Sequence, residues 1–384
     1  MAVIALVSPD TTDLDRWMGK PVGGGQLKDA VTANDIRRWV QAMHNPNPLH
    51  LDERFAAASA HGELLAPLSF AVCCAWRHAA TPAIQGVIPG SHMLFGGDRF
   101  WFTGPRIGPG MRVRTSRLAY DYTVKDTRFA GPTVFQRGDT TYVDGDGRIL
   151  GRQRCTAIRY VVENAHRLDS MKAMEAEPSW SAADLARIDA EKRAYYATFR
   201  DHVLRSLDDV RDGEELPTGV MGPHSLMTLT TEWRAYLCNI WGTFEDDGLP
   251  NSTNQAGWLP EMTRDMEAAR LDPAKDDGLY AGASSGHTHE GRARLIGMPR
   301  AYGYGASMGS YVLDYVGNWA GELAEIREAD LQYRFPVLVG DVTYLRGRVA
   351  AVRPDAGEAD VEVRMSNQDG ATMATGRLSV RFRR

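Results

Sequence analysis

Two histidines stand in similar settings in the two halves of the chain. His50 ends the segment Asn47-Pro48-Leu49-His50 and is followed six residues later by Ala56, and His287 is followed by Ala293 at the same spacing. An imidazole can take or give a proton near neutral pH, so a histidine fixed in a turn is a candidate general acid or base. The shared spacing predicts that His50 and His287 occupy equivalent positions in a duplicated unit.

The elements that would position these histidines also occur twice, in the same order. Each half has an early helix, the histidine turn, an apolar helix and then a run of strands. The early helices are predicted near Thr32, a candidate N-cap, and near Thr230, and the apolar helices at residues 64–76 and 305–319. The predicted strands are residues 100–102, 111–122, 134–143 and 149–160, then 333–335, 342–352, 361–365 and 373–382, with Gly147 and Gly370 in matching hairpin turns.

The two halves differ in one long segment. Trp39 precedes His50 by 11 residues, whereas Trp233 precedes His287 by 54, so the second half carries an insertion at about residues 239–285. Long loops of this kind are usually functional or disordered, and we expect this one to border the second-half site. Each half has helices followed by a run of strands, and no strand–helix–strand alternation. This order predicts an α+β fold with antiparallel sheets rather than a doubly wound parallel sheet.

Composition excludes several classes of protein. The 384 residues include 44 basic and 49 acidic side chains, which gives a net charge of −5 and no basic excess for binding nucleic acid. Residues 2–7 are too short an apolar run for a signal peptide, and residues 64–76 are too short to span a membrane. The four cysteines form no CxxC pair. We therefore expect a cytoplasmic protein that binds neither nucleic acid nor a membrane.

Three weaker motifs have simpler explanations. His287-Thr288-His289-Glu290 offers two histidines to a metal but no evident third ligand, so no metal site is predicted there. Gly305-Ala306-Ser307-Met308-Gly309 matches the nucleophile elbow of α/β hydrolases, yet that fold needs a histidine later in the chain and none follows His289. Gly23-Gly24-Gly25 lies outside any βαβ unit and predicts no dinucleotide site.

The second-half motif resembles that of the MaoC-like hydratases and dehydratases. In that family Ala, Gly, Pro and Gly follow the histidine at +6, +10, +12 and +18, which here are Ala293, Gly297, Pro299 and Gly305. The first half, with Leu65-Ala66-Pro67, resembles the FAS1-like dehydratase half of the same superfamily. The resemblance implies a double hot-dog fold, in which two units each wrap a curved antiparallel sheet around a long central helix.

The resemblance also implies roles for particular residues. Adding or removing water at an α,β-unsaturated thioester needs an acid, a base and a donor to the thioester oxygen. His287 is the expected acid or base, and the Gly305 amide at a helix start is the expected donor, whereas Pro67 falls about where the first half would need such a glycine. His50 and Asn45 are the first-half candidates, and His289, Glu290 and Tyr304 are the expected substrate-binding residues.

Both halves depart from the family at the acid. Five residues before its histidine the family has Asp, but Asn45 stands there in the first half and Gly282 in the second. An amide does not titrate, so Asn45 can only orient water or the histidine. Asp276, Asp277 and Glu290 are alternative sources of an acid near His287.

These inferences define the expected organisation and function. Residues 1–165 are a degenerate, substrate-holding hot-dog unit, residues 166–209 a helical linker, and residues 210–384 the MaoC-like unit. The expected activity is hydration or dehydration of an enoyl thioester, on a bulky acyl-CoA or an acyl-carrier-protein substrate, without a metal or redox cofactor. The alternatives are a repurposed dehydratase or cyclase on a polyketide or steroid-like thioester, and an inactive thioester-binding scaffold. The resemblance also suggests a homodimer.

Overall fold

The computed structural model describes residues 5–27, 29–74, 81–236, 244–246 and 285–383. The predicted insertion therefore lies almost wholly outside the described residues, and so do Asp276, Asp277 and Gly282. The described α-helices are α1 (Ala33–Ala42), α2 (Glu53–Ala58), α3 (Val162–Leu168), α4 (Ala182–Ala197), α5 (Leu226–Tyr236), α6 (Glu290–Leu295) and α7 (Gly305–Ala320).

The described strands form one antiparallel sheet that runs through both halves. The strands are β1 (Pro21–Leu27), β2 (Ser91–Phe102), β3 (Val113–Thr127), β4 (Gly131–Asp144), β5 (Ile149–Val161), β6 (Gly219–Met221), β7 (Phe244–Asp246), β8 (Ala324–Tyr333), β9 (Thr343–Arg353), β10 (Glu358–Asn367) and β11 (Thr372–Phe382). Their order across the sheet is β6-β9-β10-β11-β8-β2-β5-β4-β3-β1-β7. The α+β prediction with antiparallel sheets is confirmed.

The two halves meet where β2 pairs with β8. Gly97 lies opposite Gln332 and Trp101 opposite Glu328, with the three intervening residues paired in register. Strands of the first half lie on one side of this seam and most strands of the second half on the other. The prediction that two units join their sheets within one chain is therefore confirmed, and residues near the seam contact both halves. The strand β7, from the insertion, instead pairs with β1 at the far edge of the first half.

The second central helix agrees with its prediction, and the first differs. Helix α7 is 16 residues long, and fourteen of them are buried. In the first half the buried segment is a 3-10 helix, Leu68–Cys74, and residues 75 and 76 lie outside the described residues. The helix begins only after Pro67, since the Ala66 N–H donates to the carbonyl of Ile107 in an extended conformation.

Local details test the remaining expectations for these elements. Thr32 caps α1 as predicted, accepting a hydrogen bond from the Asp35 N–H at 3.2 Å. Gly147 and Gly370 both adopt positive φ, at 87° and 76°, in the two matching hairpin turns. The strand predicted at residues 333–335 is wrong in position, because β8 ends at Tyr333. Charged side chains are frequent along β8, so its alternation of apolar and polar residues is not evident in the sequence.

The largest buried hydrophobic cluster among the described residues is shared by the two halves. Trp39 and Phe70 of the first half pack in the same cluster as Tyr311 and Leu331 of the second. Burial of this apolar surface is the main force that holds the halves together. Among the described residues, no helix combines the length and the apolar character needed to cross a membrane.

Candidate active site

His287 is fixed at the end of a 3-10 turn, Ser285–His287, just before α6. Its Nδ1 lies 2.7 Å from the carbonyl oxygen of Tyr302, and its ring stacks on that of Tyr304 with centroids 3.9 Å apart. A carbonyl only accepts, so Nδ1 carries the proton and donates it. The neutral ring then has its lone pair on Nε2, the form required of a general base.

Gly305 is the first residue of α7, as the family resemblance implies. The N–H groups of a first helical turn have no partner within the helix, and the helix dipole favours negative charge at this end. A Cβ on Gly305 would overlap the side chain of Phe95, so the position admits only glycine. The Gly305 amide is therefore suited to bind an oxygen that develops negative charge.

His287 and Gly305 line one large cavity at the seam. The cavity measures about 1150 Å³ and is also lined by Tyr302, Tyr304 and Met308 of the second half. The first half contributes the wall formed by residues 92–99 of β2. This volume exceeds the usual range of small-molecule sites, about 300–1,000 Å³. The cavity can therefore hold a long or bulky ligand.

Asp98 is a buried acid in the wall of this cavity, and sequence reading missed it. Its side chain is 3% exposed and accepts hydrogen bonds from Tyr333 Oη at 2.6 Å and Gln153 Nε2 at 2.7 Å. Burial raises the pKa of Asp98 to about 6, although both hydrogen bonds oppose that rise. Asp98 lies on the same face of β2 as the buried Phe100 and Phe102. An acidic residue on the core-facing side of a predicted strand was the sequence feature that could have identified it.

Asp98 also lies close to the start of α7. A Cβ built on Gly309 would be 3.5 Å from Asp98 Oδ2. Gly309 follows Gly305 by four residues, which is about 6 Å along a helix axis. The carboxyl group therefore stands roughly one helical turn from the Gly305 amide, within the length of a short acyl group.

The first-half histidine repeats the geometry of the second. His50 Nδ1 lies 2.6 Å from the carbonyl oxygen of Leu65, which is 15 residues later, as Tyr302 is 15 residues after His287. The same spacing makes Leu68 the first-half equivalent of Gly305. The expected equivalent, Pro67, is therefore wrong by one residue. Leu68 begins the 3-10 helix and, unlike proline, has an N–H to donate.

The surroundings of His50 are nevertheless much less suited to catalysis. Burial and the charge of Arg106 lower the pKa of His50 to about 3, although the Leu65 hydrogen bond opposes the shift. A base with such a low pKa is weak at neutral pH. The adjoining cavity measures only about 20 Å³, roughly the space for one water. His50 therefore has neither the basicity nor the room that an acyl thioester requires.

Polar side chains fill the space around His50. Asn47 Nδ2 donates to Asn318 Oδ1 at 2.8 Å, and Asn318 Nδ2 donates to Asn45 Oδ1 at 3.1 Å. Asp314 also lines this small cavity, and burial raises its pKa to about 7 against the opposing effects of Ser69, Asn45 and Arg106. Asn45 is thus part of an amide network that links the first half to α7.

The three expected substrate-binding residues divide into two groups. Tyr304 lines the large cavity and stacks on His287. His289 instead is the N-cap of α6, where Nδ1 accepts from the Arg292 N–H at 3.4 Å, and Glu290 pairs with Arg294 on the exposed face of α6 at 2.5 Å. Among the described residues that line the cavity, neither His289 nor Glu290 is present.

Comparisons with known proteins agree with this architecture. Residues 16–152 match the family described as FAS1-like, dehydratase domain region. A MaoC-like dehydratase of known structure superposes with a TM-score of 0.63 at 16% identity, over 96% of this chain and 99% of that one. The chain has the double hot-dog fold. The predicted resemblance of the first half to FAS1-like dehydratases is confirmed by the family match.

Two further proteins are similar to this chain. A conserved hypothetical protein of Mycobacterium tuberculosis with a double hot-dog fold superposes with a TM-score of 0.55 at 14% identity, over 96% of this chain and 97% of that one. The probable enoyl-CoA hydratase alpha subunit of Thermomonospora curvata is 25% identical over 181 residues, which is 43% of this chain. The match spans 57% of that relative's length.

Proposed function

We propose that this protein is a MaoC-like hydratase or dehydratase that acts on an α,β-unsaturated acyl thioester in the second-half cavity. The observation that carries the proposal is the convergence of three groups on one 1150 Å³ space: His287, the Gly305 amide and the buried acid Asp98. Base, oxyanion donor and acid are the three groups that this reaction requires.

In the hydration direction, His287 Nε2 takes a proton from water as the water oxygen bonds to the β-carbon. The carbon–carbon π electrons move toward the thioester carbonyl, whose oxygen becomes an enolate held by the Gly305 N–H. Protonated Asp98 then gives its proton to the α-carbon as the enolate collapses. The proton held on His287 returns to Asp98 through solvent, so one water is added with no net change in the protein.

The cavity's size and charge support a thioester of coenzyme A with a bulky acyl group. Among the described residues, six basic and only two acidic side chains line it, although the chain as a whole carries a net charge of −5. Lys125, Arg128 and Arg334 are among these cations. Clustered cations attract the phosphate groups of such a carrier. Replacing acyl-CoA with its 3′-dephospho form should therefore raise KM more than it lowers kcat.

Matched substitutions of the two histidines test the proposal. With crotonyl-CoA and longer enoyl-CoA substrates, His287→Ala should lower kcat by about 10²- to 10⁴-fold, because a positioned base is typically worth that much. His50→Ala should act mainly on KM or on stability, because its imidazole is a weak base in a space for one water. Equal folding of both variants is checked by circular dichroism.

The opposite outcomes would change the proposal. A larger loss of kcat in His50→Ala than in His287→Ala would move the chemistry to the first half. Binding of enoyl-CoA with no turnover by the unaltered protein would leave an inactive thioester-binding scaffold as the explanation.

A further inference from the structure

A second group of side chains with the chemistry of a binding site lies where α1 and α5 meet α7. His44 follows α1 in the first half, His224 precedes α5, and Glu232 lies within α5. One ligand-capable atom from each of the three lies within 4.8 Å of the other two. None of the three lines the cavity that contains His287, so this cluster is separate from the proposed thioester site.

Two buried atoms of the cluster have no hydrogen-bond partner among the described residues. They are Nδ1 of His224, whose side chain belongs to a residue 1% exposed, and Oε2 of Glu232, in a residue with no exposure. A buried acceptor left unpaired is costly and calls for an explanation such as an ion. Both atoms are lone-pair donors in a group of three potential ligands.

We propose that His44, His224 and Glu232 bind a divalent transition-metal ion, with Zn²⁺ as the best fit. Two imidazoles and one carboxylate are an established zinc donor set, with metal–ligand distances of about 2.0–2.2 Å. Tetrahedral ligands at that distance are about 3.3 Å apart. His44 Nε2 lies 3.2 Å from Oε1, the other oxygen of the Glu232 carboxylate, so this histidine and this carboxylate are already about that close.

Neighbouring groups hold the two buried ligands in binding orientations. His224 Nε2 lies 2.9 Å from Thr343 Oγ1, so a proton on Nε2 leaves the Nδ1 lone pair for a metal. The Tyr311 hydroxyl donates to Glu232 Oε1 and orients the carboxylate. His44 would bind the metal through the Nε2 lone pair, as the tautomer that has its proton on Nδ1.

The site would join the two halves and remain accessible from outside. His44 comes from the first half, whereas His224 and Glu232 come from the second. The His44 side chain is 22% exposed, which gives an entry route and leaves room for water as a fourth ligand. A metal here would therefore link the end of α1 to α5 beside the central helix, and its expected effect is on the stability of that junction.

Metal titration of the full chain tests the proposal. The protein, with any affinity tag removed, is stripped with a chelator and titrated with Zn²⁺ by calorimetry, and its Tm is measured with and without the ion. We expect one Zn²⁺ per chain and a higher Tm in its presence. Glu232→Gln and His44→Ala should each weaken binding by more than about 10²-fold, since even partners of metal ligands are worth about 10- to 100-fold.

The chain supplies a matched control for these variants. His202 Nδ1 lies 2.6 Å from Oε1 of the buried Glu322, which is a similar histidine–carboxylate contact outside the three-residue cluster. His202→Ala should bind Zn²⁺ as the unaltered protein does. His44→Ala changes a partly exposed residue and keeps the test interpretable if Glu232→Gln fails to fold. Failure of the unaltered protein to bind Zn²⁺ at micromolar concentrations, or undiminished binding by His44→Ala, would overturn the proposal.

Discussion

Replacing Asp98 by Asn should lower activity while raising stability at alkaline pH. The pKa of Asp98 is raised from 3.8 to about 6, mainly by burial. Because the folded-state pKa is the higher one, the group's contribution to stability is complete below pH 3.8 and is lost as pH rises through 6. An amide of the same shape does not ionise and does not incur this loss.

The size of the effect follows from the two pKa values. With about 1.4 kcal/mol per pKa unit, ionisation of Asp98 costs the folded state about 1.6 kcal/mol at pH 5 and about 3 kcal/mol at pH 8. Asp98→Asn should therefore gain about 1.4 kcal/mol relative to the unaltered protein between these two pH values. Loss of one hydrogen bond, worth about 1 kcal/mol, offsets part of the gain equally at both.

Urea unfolding at pH 5 and pH 8 measures the stability difference, and steady-state turnover from pH 5 to 9 measures the activity. The unaltered protein should lose kcat/KM above about pH 6 as Asp98 ionises, and Asp98→Asn should have low activity without that decline. Asp52→Asn is a control without this pH dependence: backbone N–H donors lower the pKa of the exposed Asp52 below 3.8, so its contribution to stability is lost only in acid and should be the same at pH 5 and pH 8. A stability difference that is the same at both pH values would refute a neutral, buried Asp98.

Three further substitutions test neighbouring groups. Gly305→Ala should lower kcat by about 10²-fold or more by pushing the amide away from Phe95, and adding Phe95→Ala should restore part of the rate measured with enoyl-CoA. Tyr333→Phe removes a donor to the Asp98 carboxylate, so the alkaline decline in kcat/KM should move to higher pH; an unmoved decline would assign it to another group. Asp314→Asn should gain stability in urea, relative to the unaltered protein, as pH rises through about 7 and keep its kcat, whereas a loss of kcat like that of Asp98→Asn would place the acid in the small cavity beside His50.

The parts of the fold that depend on local pattern were predictable. The duplicated register fixed the equivalence of His50 and His287, and the structure gives both the same contact with a carbonyl 15 residues later. Capping by Thr32 and the glycine turns also followed from residue type, because few residues satisfy those backbone geometries.

What depends on contacts between distant residues was not predictable in the same way. The acid in the large cavity was sought next to His287 in sequence, whereas Asp98 reaches the cavity from a strand of the other half. The 3-10 helix Leu68–Cys74 was predicted as a longer helix because its apolar residues do not reveal the extended segment before it. Helix α7 carried a readable signal, since Ser310, Asp314 and Asn318 are polar, spaced by four and buried.

Because β2 pairs with β8, side chains of the first half line a cavity that also contains residues of the second half. Asp98 and Phe95 come from a strand of the first half, yet they face a histidine and a helix start that belong to the second. The first half therefore carries, on the strand that pairs with the second half, residues that line the cavity of His287 and Gly305. A one-residue shift in the pairing of β2 with β8 would turn Asp98 and Phe95 away from His287 and the start of α7, so the shape of this cavity depends on the register between the two halves.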